Sequence, residues 1–549
     1  MNNRLDRSDL WLALAALAGG LIFFGSLARL WPLAATDVNA PPSRIIASAR
    51  AFLKGERMPA DDFAAAARLE HDPEILDYLL RTFGRNTTQR LIREGEPIYD
   101  YIAYFKRRGD PDSRWVDIHP TAHVIGWGRT VQEDAPGAVI DQAAARRIVM
   151  PAIALALHGN LAGLAETGYS QRERPARRDH AFVFERWLSR DPELRERITA
   201  TVSGAEVTSV HRQLVLPEKA RRAARTREAP TVALQTGGFV LVGLGGLVAL
   251  VVFLTSLARG EVRLGTAARW VAIIIVFFLL TQLLRTTDLL LQWDSLWPRW
   301  IADFQSLAFD LAQGAWIAFA LFIVIAAGDA MDRRSGANRG VSLWSIGRGH
   351  LLDPAVGMAS LRGFMVGLVC GGSMALTLLA LELFAGAWVA IQPQGFFFFA
   401  INSICPAAST LLYFLMVALV EELGYRFFAG TWLISRYGKR WLAIIVPAVL
   451  YGTSHTGLTF LPPAEPFWGR AIALTVVGCV WGWAFLRYDA LTVVLSHFTA
   501  DLFIFNWPRL GSGDPILVAK AIATIAVPLL PGLLFLMRRR KQEQDPEVG

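Results

Sequence analysis

The chain has 549 residues, 53% of them hydrophobic, with a formal charge of +8 and a mean hydropathy of +0.35. At this length such a balance describes a polytopic membrane protein. The positive charge does not point to nucleic acid, because Lys and Arg fall in short clusters at the ends of apolar runs, as membrane topology requires. Only three cysteines occur, Cys370, Cys405 and Cys479, all in apolar segments, which argues against a disulfide framework or a Cys-based zinc site.

A first span is predicted over residues 10–33, within an anchor covering residues 1–36. It is too long for a signal-peptide core and has no clear cleavage site, so it reads as retained. Residues 37–230 are charged, mixed in sign and too polar to cross a bilayer, and read as one soluble α+β domain inserted after the first helix. Apolar residues at helical spacing predict helices over 61–69, 73–82 and 98–106, whereas the valine-rich stretch 199–216 reads as strands and turns. Residues 148–164 read as a buried helix of that domain. His119 and His123, four apart with Asp117 nearby, lack a third ligand and read as ordinary domain histidines.

Nine more spans follow. Residues 231–265 hold the second, over 232–257, and its linker; the others lie over 267–284, 301–327, 364–383, 407–435, 441–455, 470–485, 490–507 and 516–537. The expected fold is therefore all-α and polytopic, about ten transmembrane helices in all, with residues 541–549 as a tail. Basic clusters at Arg259 and Arg263, at Arg333, Arg334, Arg339 and Arg348, at Arg436, Lys439 and Arg440, and at Arg538 to Lys541 come after every second span. That places them and both termini in the cytoplasm and exports the soluble domain. The cluster Lys219 to Arg227 disagrees, but long domains obey the positive-inside rule poorly. Gly363, Gly367 and Gly371 lie along one helical ridge suited to close helix packing. Trp293, Trp297, Trp300 and Phe396 to Phe399 suit an interfacial belt.

The costliest stretch ends in Glu421-Glu422-Leu-Gly-Tyr-Arg426, where two carboxylates follow an apolar run long enough to lie inside a bilayer. Arg426 is one turn beyond Glu422 and can pair with it, which leaves Glu421, about 100° around the axis, as the free carboxylate. A carboxylate beside a like charge in low-dielectric surroundings suits a general acid or base. Two later spans add Tyr451-Gly-Thr-Ser-His455 and His497-Phe-Thr-Ala-Asp501, each pair sharing a helix face.

Counted from the nearest basic residues, Arg436, Arg440 and Arg487, the groups Glu421, His455 and Asp501 all stand about 21–22 Å up, and His497 about 15 Å, at a rise of ~1.5 Å per residue. They can therefore surround one cavity. Such a set suits hydrolysis: a carboxylate and an imidazole deprotonate a water while a second imidazole backed by an acid stabilises an oxyanion. Alternatively Glu421, His455 and His497 hold a divalent metal such as zinc, whose bound water attacks.

The ordered set Glu421-Glu422-xxx-Arg426, Tyr451-xxx-His455 and His497-xxx-Asp501 resembles the signature of the CAAX protease and bacteriocin-processing family of intramembrane proteases, which includes the type II CAAX prenyl endopeptidases. Tyr451 stands where Phe is usual in that family, and Asp501 where the prenyl endopeptidases have Asn. The resemblance implies an eight-helix core within residues 266–540, with the motifs on its fourth, fifth and seventh helices. It implies that Glu421 activates water with His455, that Glu422 and Arg426 orient the site, and that His497 and Asp501 stabilise the oxyanion. The implied partners are the lipid bilayer and a membrane-associated protein substrate, lipidated or not, in the inner membrane of a bacterium. The competing expectation from another class is a non-catalytic immunity or scaffold protein that binds a partner through residues 37–230. A proton-coupled transporter ranks lower, since no inverted repeat is visible.

Overall fold

The computed structural model describes residues 6–31, 35–188, 194–284, 290, 293–389, 403, 405–456 and 464–544. Among these, nine helices are long and apolar enough to cross a membrane. In chain order the membrane-type helices are α1 (Arg7–Leu30), α5 (Glu218–Ala258), α6 (Leu264–Leu283), α7 (Arg299–Arg334), α8 (Pro354–Ala385), α9 (Pro406–Tyr437), α10 (Arg440–Ser454), α11 (Gly469–Arg487), α12 (Ala490–Leu510) and α13 (Pro515–Arg540). The short one is α10, whose fifteen residues rise only about 22 Å. It stops inside the bundle.

Between α1 and α5 lies a separate α+β region. Helices α2 (Pro42–Gly55), α3 (Pro73–Glu94) and α4 (Gln142–Ala156) accompany eight strands: β1 (Ala64–His71), β2 (Tyr99–Arg107), β3 (Asp110–Ile118), β4 (Val124–Arg129), β5 (Ala165–Arg174), β6 (Arg177–Trp187), β7 (Arg195–Ser203) and β8 (Glu206–Val215). All pair antiparallel in the order β1-β2-β3-β4-β8-β7-β6-β5, two meanders joined through β4 and β8.

Two expected helices are strands. Residues 98–106 carry apolar side chains at Ile98, Tyr101, Ile102 and Phe105, which fit a helical spacing, yet Tyr99, Tyr101, Ala103 and Phe105 fit alternation as well. The aromatic and β-branched content decides for a strand, with those four residues buried. Its partner β1 carries an alanine run of high helix propensity, overridden by register with β2 from Ala64 against Lys106 to His71 against Tyr99. The helix over 148–164 ends earlier, at Ala156. His119 and His123 are not on a helical face. They flank the β3–β4 turn, where His119 N–H donates to His123 O at 2.8 Å.

This region is fastened to one end of the bundle. Arg29 at the end of α1 and Arg85 of α3 both bind Glu382 of α8, Arg81 binds Glu465 just before α11, and Asn39 Nδ2 donates to Pro508 O of α12. The basic residues Arg334, Arg436, Arg440 and Arg487 mark the opposite ends of their helices. Trp293, expected in an interfacial belt, is buried with Leu290 and Ala66 of β1; Phe396 to Phe399 lie outside the described residues.

The glycine ridge of α8 sets the depth of the core. A Cβ on Gly363 would fall 2.8 Å from Leu495 Cβ, and one on Gly367 would fall 2.6 Å from Thr499 Cβ. Only glycine lets α8 approach α12 this closely. The pair Arg362–Asp9, two hydrogen bonds of 2.8 and 2.9 Å, ties α1 to the same helix.

Candidate active site

The two glutamates stand where α9 changes pitch. Regular α-helix ends at Glu422, and Leu423–Gly430 continue as a π-helix before Thr431–Tyr437 resume the α form. Such insertions occur frequently at functional sites. Across the change, Arg426 Nη1 still donates to Glu422 Oε1 at 2.9 Å, with both side chains buried. The Arg426 guanidinium lies over the rings of Tyr451 (4.9 Å), Trp481 (5.0 Å) and Tyr425 (5.7 Å). Cation–π contact and one carboxylate thus hold a buried cation.

The truncation of α10 puts His455 at its C-cap, level with Glu421. His455 Nε2 lies 3.2 Å from Glu421 Oε1, while Nδ1 lies 2.7 Å from the Tyr451 carbonyl. A carbonyl only accepts, so Nδ1 carries a hydrogen. A hydrogen bond between Nε2 and Glu421 then needs a further proton on one of the two. Ser454 Oγ, bonded to Tyr425 Oη at 2.9 Å, sits 3.2 Å from the same Nδ1.

From α12, His497 Nδ1 lies 2.7 Å from Glu422 Oε1, and Nε2 lies 3.7 Å from Glu421 Oε2 and 3.5 Å from Asp501 Oδ2. Both ring nitrogens face carboxylates, and the indole of Trp481 stacks on the ring at 4.2 Å. Trp481 Nε1 in turn donates to Ser496 Oγ. All six residues expected at the site therefore meet, on three helices. Glu421 is not the free carboxylate that helical geometry suggests, for it faces both imidazoles. Glu422 is shared between Arg426 and His497.

A cavity of about 990 Å³ opens beside this cluster. Glu421, His455, His497 and Asp501 line one part of it together with Arg470, and the remainder is mostly apolar, including Phe239 and Leu247 of α5 and Phe319 of α7. Its wall therefore includes the helix that descends from the α+β region.

Whether the cluster suits a metal depends on how its donors close. Glu421, His455, His497 and Asp501 are acceptable ligands singly. As the side chains stand among the described residues, no three His, Cys, Asp or Glu groups gather as a ligand set.

Three contributors went unread in the sequence. Trp481 looks like one of many apolar residues of its span, and Tyr425 like filler between motif positions. Arg470 opens its span, a position where an arginine that reaches the interface is ordinary.

Residues 403–503 match the family model described as type II CAAX prenyl endopeptidase Rce1-like. The matched segment contains all three motifs, from Glu421 to Asp501, and the resemblance drawn from them holds at that level. Neither a curated protein nor a solved structure matches the chain significantly.

Proposed function

We propose that the protein is an intramembrane endopeptidase that hydrolyses a peptide bond of a membrane-associated protein. The observation that carries this reading is the meeting of Glu421 with His455 and His497 at the edge of a cavity built mostly of apolar side chains. A polar cluster at such depth is costly, and a water-activating role accounts for it.

In the reaction, a water enters between Glu421 and His455. Glu421 takes its proton, and the hydroxide oxygen bonds to the scissile carbonyl carbon. The oxyanion that forms is stabilised from the His497 and Asp501 side, where the ring, carrying a proton on each nitrogen, donates from Nδ1 to Glu422 and from Nε2 to the oxyanion. The tetrahedral intermediate collapses as the C–N bond breaks, and the proton held by Glu421 and His455 passes to the departing amine. Glu422 and Arg426 position this machinery through His497.

The apolar cavity favours a substrate segment carrying a lipid or a run of apolar residues. The basic ends of the spans favour an inner-membrane protein with both termini in the cytoplasm and residues 37–230 outside. Comparing the membrane proteomes of cells that make the wild type and cells that make Glu421→Gln tests the reading. Full-length precursors accumulating only in the variant support it; identical proteomes oppose it.

A further inference from the structure

Arg470 is the one Lys or Arg among the described residues that line the cavity. It stands in the first turn of α11, beside the site rather than in it, and the proposed reaction does not use it. The residue is only 7% exposed. Nη1 donates to His455 O at 3.2 Å and approaches Thr456 O at 3.5 Å, which satisfies carbonyls left open where α10 ends. Nη2 is buried and has no hydrogen-bond partner among the described residues. Among the described residues no carboxylate pairs with this guanidinium, in contrast to Arg426 with Glu422 and Arg362 with Asp9.

A buried cation without an anion is costly, because the loss of hydration is not repaid. Capping two carbonyls does not require a full positive charge, and a neutral amide donor does the same work. What a guanidinium adds is the ability to bind an anion through paired N–H donors in fixed geometry. The free Nη2 lies on a group bonded to the backbone of His455, so an anion held there sits next to the water-activating pair.

We propose that Arg470 is a specificity residue of this cavity, receiving through Nη2 a carboxylate of the substrate close to the bond to be cut. The inference rests on the peptidase reading. Two sources share that chemistry, the α-carboxylate of a chain end and an Asp or Glu side chain.

The test measures binding and cleavage separately. A mixed-sequence library of S-alkylated, fluorescent hexapeptides is prepared in three forms: free acid, C-terminal amide, and amide with Glu as the last residue. Binding is measured to full-length Glu421→Gln in detergent, which cannot confuse binding with turnover. The carboxylate-bearing form is expected to bind at least about tenfold more tightly than the plain amide, the difference one charge-assisted hydrogen bond supplies. Adding Arg470→Gln should reduce the ratio to below about twofold, and Arg470→Lys should keep part of it. If the Glu-ending amide matches the free acid, the side-chain source is assigned; if only the free acid gains, the chain end is. Equal binding of all three forms, no binding of any, or a preference unchanged by Arg470→Gln overturns the proposal. If Arg470→Gln fails to fold, the Lys variant and the ratio for the unaltered arginine still decide. Cleavage by the wild type without a carboxylate preference would sink the Arg470 assignment and leave the peptidase reading intact, whereas a preference without any cleavage would sink the peptidase reading and leave Arg470 only as a carboxylate-binding residue.

Discussion

His497 Nδ1 lies 2.7 Å from Glu422 Oε1, the same oxygen that accepts from Arg426. The third motif is therefore anchored by the second glutamate of the first, while Glu421 is left to face the cavity. Under the proposed reaction, adjacent residues of identical chemistry would divide positioning from reaction.

Removing that anchor leaves Arg426 as an uncompensated charge among aromatic rings. Glu422→Ala is expected to lower stability by about 3–5 kcal/mol, the cost of breaking a buried pair. Thermal unfolding in detergent measures it, with the double variant Glu422→Ala/Arg426→Met recovering part of the loss. A double variant no more stable than the single one would contradict this role.

Tyr451 contributes its ring more than its hydroxyl. The ring lies 4.3 Å from His455 and beneath Arg426. Tyr451→Phe should stay within about threefold of wild-type kcat/KM, while Tyr451→Ala should lose roughly a hundredfold by misplacing His455. Steady-state cleavage of one peptide by both variants separates the two outcomes.

Helix α5 leans on the site at one glycine. A Cβ on Gly238 would lie 2.6 Å from Ser454 N, one residue before His455, whereas one on the adjacent Gly237 meets nothing within 4 Å. Gly238→Leu should therefore reduce activity at least about tenfold through displacement of His455, and Gly237→Leu should not. Equal effects would mean that the contact does not bear on the site.

The α+β region has an acid sensitivity of definite sign. Burial pulls the His71 imidazole down to about 3 and the His119 imidazole to about 4. Above pH ~6.5 neither folded nor unfolded histidine binds a proton; below it only the unfolded one does, so stability falls with pH by up to about 1.4 kcal/mol per unit for each. Burial raises Asp100 and Asp117, and these carboxyls act in the opposite sense as they gain protons. The share of His71 is isolated by His71→Phe, whose stability relative to wild type should grow as pH drops from 6.5 to 4.5. Parallel pH profiles would contradict it.

Much of this arrangement was legible from residue order. Each membrane helix carries an apolar run bounded by charge, and equal depth along their spans is enough to bring Glu421, His455 and Asp501 together. The strands β1 and β2 were not legible, because Ile98, Tyr101, Ile102 and Phe105 satisfy a helical period while pairing across the sheet decides the outcome. Neither was the sharing of Glu422 between Arg426 and His497, since nothing in the spacing of motifs reveals which glutamate a distant ring will face. Arg470 escaped for a related reason: its meaning lies in the absence of a nearby acid, which only a folded chain displays.

Exhaustive treatment with a strong chelator decides between the two ways of activating the water: cleavage that survives it leaves Glu421 and His455 to act directly. Loss of activity restored by zinc would instead assign Glu421, His455 and His497 as ligands.

The most direct trial of the central claim is cleavage by purified full-length protein, in detergent, of a library of lipidated and unlipidated peptides. Wild type should release defined fragments, and Glu421→Gln and His455→Ala should each lose at least about a hundredfold, the scale of a positioned general base. Undiminished cleavage by Glu421→Gln, or no cleavage by any form while a partner protein co-purifies through residues 37–230, would contradict it.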